Sequence, residues 1–273
     1  MKSVLIDQKT CTICQRCIRI CPTSVLRSID GKILAKYPER CIACGQCFAF
    51  CPTGSISLNG CDPREALPCA AGTLPDETTL RTLIQGRRSI RLYRNDPVPK
   101  NLVQKALDLS GHAPSGGNLR PMRWTVVQSR ERVHAIAAAV IEWMRSELDA
   151  GNPLASLLNY PGLVASWDKG NDPVMRGAPH LVFAHFPGSV AHTMHAGVIA
   201  CTTLELAFAG LGIGSCWAGF LMIAAAAPSG KAVLQACGLD EGSSILGGLM
   251  FGYPDGTPLR VPPRAPYPID WIS

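Results

Sequence analysis

The sequence predicts a mixed α+β protein with two domains, a small cysteine-rich one followed by a larger one. Two observations support this prediction. Residues 1–60 contain an internal repeat of four cysteines, and from Glu77 onward helical patterns alternate with short apolar strands. The 273 residues, 47% of them hydrophobic, suffice for two such cores. We therefore assign residues 1–60 to the first domain, 61–76 to a linker and 77–273 to the second domain.

The N-terminal repeat consists of two copies of one unit. Its first four cysteines recur thirty residues later, and a proline follows the fourth cysteine of each copy. Each copy is typical of a ligand loop, a short helix and a short strand. The predicted elements are helices Gln15–Ile20 and Gly45–Phe50 and strands Val4–Ile6, Val25–Ser28, Ile33–Lys36 and Ile56–Leu58.

The linker mixes proline, glycine and small residues without periodicity. Beyond it we predict helices Glu77–Arg87, Lys100–Ser110, Arg130–Asp149 and Ala191–Gly210, and strands Arg123–Gln128, His180–Phe186 and Ser243–Gly252. Six prolines between Pro254 and Pro268 exclude a helix or a central strand. We expect this tail to lie extended over a surface, most naturally that of a neighbouring subunit.

The two cysteine runs, CTICQRCIRICP and CIACGQCFAFCP, match the C-x2-C-x2-C-x3-C-P pattern of iron–sulfur proteins. Residues 1–60 therefore resemble the bacterial ferredoxins with two [4Fe-4S] clusters. The resemblance implies crossed ligation, in which the fourth cysteine of each run binds the other run's cluster. One cluster would take Cys11, Cys14, Cys17 and Cys51, and the other Cys21, Cys41, Cys44 and Cys47. Zinc also takes four thiolates, but zinc sites usually pair two CxxC knuckles across a longer gap.

Composition and charge exclude several classes of protein. Only 17% of residues are charged, and Glu205 interrupts the longest apolar stretch, so we expect neither disorder nor a membrane span. The first ten residues lack the apolar run of a secretory signal, which predicts a cytoplasmic protein. Residues 1–60 carry eight Lys or Arg against three Asp or Glu, and two anionic clusters would offset that excess. We therefore expect no nucleic-acid partner.

Two motifs of the second domain suit an anionic cofactor. RRSIRLY, residues 87–93, places three arginines and a serine after a helical pattern, and arginine binds phosphate in a bidentate fork. The glycine-rich APSGGN, residues 113–118, lets backbone N–H groups approach a flat polar ring closely. Each motif alone is weak, because a basic helix end is usually solvated and PSGG is usually a turn.

The order of these motifs, continued by RGAPHLVFAH, GLGIGSCWAG, GGLMFGYPDG and PPRAP, resembles the FMN-dependent nitroreductase family over almost 190 residues. The resemblance implies an α/β/α FMN-binding domain. It assigns the FMN phosphate and ribityl chain to Arg87, Arg88, Ser89 and Arg264, and it places Arg91 near the ribityl chain or the ring. The polar edge of the ring falls on Pro114, Ser115, Gly116 and Asn118, and flavin N5 on the backbone of Trp217, Ala218 and Gly219. Arg120 and Met122 depart from the glutamine and aromatic residue common in the family.

The combined resemblance implies an oxidoreductase. Electrons would pass from a low-potential donor such as reduced ferredoxin, through two clusters, to FMN and on to a nitroaromatic, quinone or other conjugated acceptor. No side chain is required as acid or base. The family also implies a homodimer, which suits the apolar helix Ala191–Gly210. Two alternatives stay open: an electron carrier or redox sensor without turnover, and a flavin-consuming or dehalogenating branch of the superfamily.

The remaining motif residues have structural and functional interpretations. Cys216 in GSCWAG either packs or acts as a redox thiol, and we favour packing. We interpret Cys61, Cys69, Cys201 and Cys237 as reduced and structural, although Cys61 and Cys69 in the linker could instead pair or sense oxidant. The histidine pair His192 and His195 favours surface or interface polarity over a metal site.

The polar stretch Gly151–Arg176 is either a surface loop or a lid over the flavin. Trp143 precedes it and could contribute to the same cover. We expect Tyr160 or Trp167 to close an acceptor pocket there.

Overall fold

The computed structural model describes residues 4–69, 74–188 and 194–272. The chain divides into two units, one made of Met1–Leu74 with Ser115–Arg120, the other of Pro75–Pro114 with Pro121–Ser273. The division after Leu74 falls inside the predicted linker. The sequence did not indicate that Ser115–Arg120 groups with the first unit.

The first unit is built from two antiparallel strand pairs and two short helices. Its elements are β1 Val4–Ile6, α1 Arg16–Ile20, β2 Leu26–Ile29, β3 Lys32–Ala35, α2 Gln46–Ala49 and β4 Ile56–Leu58. Strand β1 pairs with β4 and β2 with β3. Apolar side chains such as Leu26 and Ile33 pack with several of the motif cysteines in one small core. Because β1 and β4 come from opposite ends of the repeat, their pairing joins its two copies.

The sequence repeat is also a repeat of backbone conformation. Ile13 and Ala43, thirty residues apart, both adopt left-handed φ values, 55° and 51°. Gln15 and Gly45 form a second such pair, with φ values of 60° and 77°. A non-glycine residue in this region costs about 1–3 kcal/mol and persists only where its surroundings impose it. The two cysteine loops therefore share one imposed shape.

The second unit contains a four-stranded antiparallel sheet covered by helices. Its elements are α3 Glu77–Gly86, α4 Lys100–Ser110, β5 Arg123–Val127, α5 Arg130–Asp149, α6 Pro153–Leu157, α7 Tyr160–Asp168, β6 His180–Pro187, α8 Met194–Gly210, β7 Gly214–Trp217, α9 Gly219–Ala226, α10 Lys231–Ala236 and β8 Ser243–Gly252. The strand order is β5-β6-β8-β7. The three residues predicted before Met194 to begin α8 lie outside the described residues.

The alternation of side chains along β6 fixes the layers of this unit. Leu181 and Phe183 point into a core formed with α5, α7, α9 and α10. Val182, between them, points into a second core formed with α4 and α8. The sheet therefore lies between two layers of helices, and the predicted α+β class with an α/β/α second domain is confirmed.

The stretch 151–176 is not an open loop, because it forms α6 and α7, which pack against the core. Tyr160 is fully buried, and its ring meets that of Trp143 edge-on with centroids 5.5 Å apart. Trp167 stacks on His134 at 4.7 Å. The prediction that Tyr160 closes an acceptor pocket is wrong, because its ring belongs to the core.

Apolar surface remains exposed at several places in the second unit, among them the C-terminal tail and helix α8. Residues 257–272 form neither helix nor strand, as the prolines predicted, and Trp271 and Ile272 are 89% and 98% exposed. Helix α8 also leaves Val198 and Ile199 partly exposed. In the described part of the chain, neither α8 nor any other helix combines the length and apolarity needed to cross a membrane.

Candidate functional site

The eight motif cysteines line two separate cavities in the first unit. One, which we name the Cys41 cavity, has Cys21, Cys41, Cys44 and Cys47 in its lining. The other, the Cys11 cavity, has Cys11, Cys14, Cys17 and Cys51 in its lining. All eight thiols are free of disulfides. Each cavity takes three cysteines of one run and the fourth of the other, which is the crossed grouping that the resemblance implied.

Backbone N–H groups point at several of these sulfurs. The N–H of Val25 donates to Cys21 Sγ at 3.3 Å, and that of Ser55 donates to Cys51 Sγ at 3.2 Å. Burial alone would raise the pKa of Cys51, but hydrogen bonds from Ser55 and Thr53 hold it below its ordinary value. These contacts stabilise the thiolate form, which is the form that binds iron.

The Cys41 cavity also holds one thiol, that of Cys47, whose surroundings favour its protonated form in the absence of a cation. Burial, followed by the nearby thiols of Cys21 and Cys44, raises the pKa of Cys47 to about 11. Within the described residues, no three Cys, His, Asp or Glu side chains lie close enough to hold a single metal ion. Four thiols spread around one cavity fit a four-iron cluster, whose positive irons would deprotonate them.

Three predicted phosphate-binding arginines line one open cavity of the second unit. It has a volume of about 620 Å³. Arg87 and Arg88 reach it from the segment after α3, Arg264 from the C-terminal tail, and Thr202 of α8 forms part of the wall. Guanidinium groups gathered around one cavity suit a phosphate, which accepts several charge-assisted hydrogen bonds.

A buried carboxylate connects this cavity to strand β7. Glu205 is 6% exposed, and its Oε1 lies 3.5 Å from Arg87 Nη1. Its other oxygen, Oε2, accepts a hydrogen bond of 2.7 Å from the indole Nε1 of Trp217. The sequence marked Glu205 as an acidic residue in an apolar helix but did not reveal its partners. Glu205 thus contacts both Arg87, a predicted phosphate ligand, and Trp217, one of the three residues predicted to lie at flavin N5, which we call the N5 turn (Trp217, Ala218 and Gly219).

We expect Glu205→Ala to lower the melting temperature of the protein by roughly 4–8 °C. The variant leaves the Trp217 N–H buried without an acceptor and Arg87 without its carboxylate, at a cost of about 2 kcal/mol. Glu205→Gln keeps an acceptor for Trp217, so its melting temperature should fall less. Thermal unfolding followed by circular dichroism measures both, and an equal fall in the two variants would contradict the importance of the Trp217 bond.

The predicted phosphate-binding segment, residues 87–93, lies alongside strand β7, which leads into the N5 turn. Ser89 pairs with Ser215 of β7, and the N–H of Ile90 donates to Ser215 O at 2.9 Å. The Tyr93 hydroxyl donates to Ile90 O at 2.6 Å and fixes the end of the segment. Arg91 Nη1 lies 3.4 Å from Ser89 O, its acceptor. The structure thus brings RRSIRLY and GSCWAG together although more than one hundred residues separate them.

The comparison with known families decides the identity of this arrangement. The sequence profile of the nitroreductase family matches residues 84–253, more than half of the chain. The chain belongs to the nitroreductase family. A second profile, that of a 4Fe-4S dicluster domain, matches residues 3–63. The predicted fusion of a ferredoxin-like domain to a nitroreductase domain is confirmed, as is the enzyme class, an oxidoreductase.

Individual relatives agree with this assignment. Nitroreductase NfnB of Mycolicibacterium smegmatis is 29% identical over 199 residues, which cover 64% of this chain and 82% of that protein. An NADH dehydrogenase of Thermus thermophilus is 42% identical over 59 residues, 22% of this chain and 29% of that protein. The solved structure of a Bacteroides fragilis nitroreductase with bound FMN is 20% identical, covers 73% of this chain and 100% of that chain, and shares the fold with a TM-score of 0.58.

Within the nitroreductase domain, the N5 turn has one N–H group already engaged. The N–H of Ala218 donates to Gly248 O at 2.9 Å, within the sheet region. Gly219 is the first residue of α9, and the first N–H groups of a helix have no acceptor inside it. Gly219 therefore offers a backbone donor without an acceptor inside its helix, as a contact with flavin N5 would require.

The predicted ring-edge residues are divided between the two units. Pro114 belongs to the second unit, whereas Ser115, Gly116 and Asn118 belong to the first. Ser115 Oγ accepts a hydrogen bond of 3.0 Å from the N–H of Arg120, which closes the segment into a turn. The Asn118 side chain contacts the second cysteine loop, a contact that no sequence signal indicated.

The three cysteines of the nitroreductase domain are buried. Cys216 is buried, and burial raises the pKa of its thiol, so the packing interpretation is supported. Burial likewise raises the pKa of Cys201 and of Cys237 to about 12. In the linker, Cys61 and Cys69 are exposed and free of disulfides, which agrees with the predicted reduced state; their role stays a prediction.

Two of the histidines also have structural roles in the second unit. The Nε2 of the buried His180 accepts a hydrogen bond of 2.9 Å from the N–H of Val98. His185 shares a hydrogen bond of 3.1 Å with Thr125. Of the predicted pair, His195 is exposed and His192 lies outside the described residues.

Proposed function

We propose that this protein is an iron–sulfur flavoprotein that passes single electrons through two [4Fe-4S] clusters to FMN and on to a nitroaromatic, quinone or other conjugated acceptor. The observation that carries the proposal is the joint presence, in one nitroreductase-family chain, of two four-cysteine cavities and one arginine-lined cavity. A cysteine-rich domain without a flavin site would suit a carrier, and a flavin site alone would need no clusters. Together they suit an adaptor between one-electron donors and a two-electron acceptor.

Bound FMN would supply the exchange between one-electron and two-electron chemistry. In this proposal Arg87, Arg88 and Arg264 hold its phosphate, because their guanidinium groups line one cavity. Ser89 and Arg91 follow directly and are assigned to the ribityl chain. Cationic groups near the cofactor stabilise the negative charge that it gains on reduction.

For the ring we propose the positions given by the family resemblance. The backbone of Pro114, Ser115 and Gly116, with Asn118, would meet its polar edge. The N–H of Gly219, in the turn with Trp217 and Ala218, would donate to N5 and orient the reactive edge toward the acceptor. All of these protein groups bind and orient, and none of them has to transfer a proton.

We also propose a cytoplasmic homodimer that receives electrons from reduced ferredoxin or a similar protein. The dimer is supported by apolar surface that the single chain leaves exposed. This surface includes Trp271 and Ile272 in the tail and Val198 and Ile199 on α8. Exposed apolar side chains at neighbouring positions, as in each of these two pairs, suit an interface. Sedimentation analysis of the purified protein tests the assembly.

Protein purified without oxygen should contain roughly eight irons and one FMN per chain. Its visible spectrum should combine a broad thiolate-to-iron band with flavin shoulders, and both should bleach on reduction. Metal analysis and flavin release measure the content, and zinc with almost no iron would overturn the electron-transfer proposal. Full cofactor content without turnover of nitroaromatics or quinones would favour a carrier or sensor, and product analysis would reveal dehalogenation or flavin destruction.

A further inference from the structure

The side chain of Asn118 is hydrogen-bonded to the loop that carries Cys41 and Cys44. Its Nδ2 donates to Ile42 O at 3.0 Å and to Ala43 O at 2.9 Å, so both amide hydrogens have acceptors. Asn118 itself adopts a left-handed backbone, with a φ of 53°, which the turn Ser115–Arg120 imposes. One side-chain amide thus binds the carbonyl groups of two successive residues, and these two residues lie between the predicted ligands Cys41 and Cys44.

The backbone conformation of Ala43 determines one hydrogen bond to a cysteine sulfur of this loop. Its backbone is left-handed, with a φ of 51°, a conformation that costs a non-glycine residue free energy. In this conformation the Ala43 N–H donates to Cys41 Sγ at 3.4 Å, while its carbonyl carbon is bonded to the nitrogen of Cys44. Hydrogen bonds to cluster sulfurs raise the reduction potential of a cluster. Asn118 therefore stabilises the loop shape on which one such bond depends.

The other cysteine loop is not held in this way. Thr12 and Ile13 occupy the positions equivalent to Ile42 and Ala43 in the repeat. Among the described residues, no side chain donates a hydrogen bond to the carbonyl of either. Two loops with the same backbone shape therefore differ in one external contact, and that contact comes from the segment to which we assign the flavin edge.

We infer that Asn118 is a positioning residue that holds the cysteine loop of the Cys41 cavity in the shape that keeps the reduction potential of its cluster above the value it would have without this contact. The inference rests on the proposed function, in which that cavity holds a [4Fe-4S] cluster. From the ligand Cys44 the connection runs through the Ala43 carbonyl and across one hydrogen bond of 2.9 Å to Asn118 Nδ2.

The test is a redox titration of Asn118→Ala followed by electron paramagnetic resonance of both clusters. We expect the midpoint potential of one cluster to fall while that of the other stays unchanged. The iron content should stay at the wild-type level, so that the shift reflects the shape of the loop and not the loss of a cluster. Asn118→Asp, which keeps the size of the side chain but cannot donate, should behave in the same way.

Gln8→Ala is the matched control. Gln8 Nε2 also donates to a backbone carbonyl of the first unit, that of Ile33 at 2.8 Å, but outside the cysteine loops. This variant should leave both potentials and the iron content unchanged. The potential shift of Asn118→Ala should also disappear in a Cys44→Ala background, which identifies the affected cluster.

The outcomes separate this inference from the proposed function. If Asn118→Ala leaves both potentials unchanged, or shifts both equally, the role of Asn118 is refuted even though FMN and iron are present. Because Asn118 is also assigned to the flavin edge, the titration is repeated on flavin-free protein, where only the contact with the cysteine loop can act. If the wild-type protein binds no FMN, the proposed function fails, while the shift of one cluster potential still tests the contact.

Discussion

Replacement of Cys44 by alanine should remove about half of the bound iron, roughly four of eight atoms, and slow flavin reduction by a reduced ferredoxin about 100-fold or more. Cys44 lines the Cys41 cavity and would supply one of the four thiolates there. Loss of partners that only support a metal ligand already costs about 10–100-fold, so loss of the ligand itself should cost at least as much. Iron analysis and stopped-flow absorbance at the flavin band measure the two effects.

Cys61→Ala is the control for this experiment. Cys61 is exposed and lines neither cysteine cavity, so its removal should leave iron content and flavin reduction unchanged. In Cys44→Ala, direct chemical reduction of FMN should also survive, because the flavin site does not use Cys44. A Cys44→Ala protein that accepted electrons from ferredoxin at the full rate would show that the route to FMN bypasses this cluster.

Local patterns in the sequence predicted the first unit well. Three cysteines of each cavity lie within seven residues of one another, whereas the crossed fourth cysteine was implied by the resemblance to two-cluster ferredoxins. Strands β1 and β4 have the predicted bounds. The contact of Asn118 with Ile42 and Ala43 could not be predicted, because it joins positions 76 and 75 residues apart. A side-chain amide on a turn has many possible acceptors, and nothing in the sequence near it selects this one.

In the second unit, too, the sequence predicted regular elements better than long-range contacts. Periodicity predicted the bounds of α4 and α5. It did not predict the two helices within 151–176, because prolines and glycines interrupt the pattern there, although their apolar faces pack on the core. Strand β7 was not among the predicted strands, because its four residues are small or aromatic and are followed by Ala-Gly. Glu205 stood out in an apolar helix, yet only the fold brings Arg87 and Trp217 to it.

Arg88→Ala and Arg264→Ala should each weaken FMN binding by about one to two orders of magnitude. Each variant removes a charge-assisted hydrogen bond to phosphate worth about 1.5–3 kcal/mol. Both arginines line the open cavity, and neither has a carboxylate partner among the described residues, unlike Arg87 beside Glu205. Their removal therefore takes away a ligand contact without leaving a buried acid unpaired. Titration of flavin-depleted protein with FMN, followed by quenching of flavin fluorescence, gives the dissociation constants.

Arg260→Ala is the matched control, because Arg260 lies in the same exposed tail as Arg264 but does not line the cavity. It should bind FMN with nearly the wild-type affinity. Iron content should stay at the wild-type level in all three variants, since the cysteines lie in the other unit. The double variant should lose less than the sum of the two single losses, because both side chains would contact one phosphate. Unchanged affinity in both single variants would show that the phosphate binds elsewhere, and an equal loss in Arg260→Ala would show that the tail acts only through its overall charge.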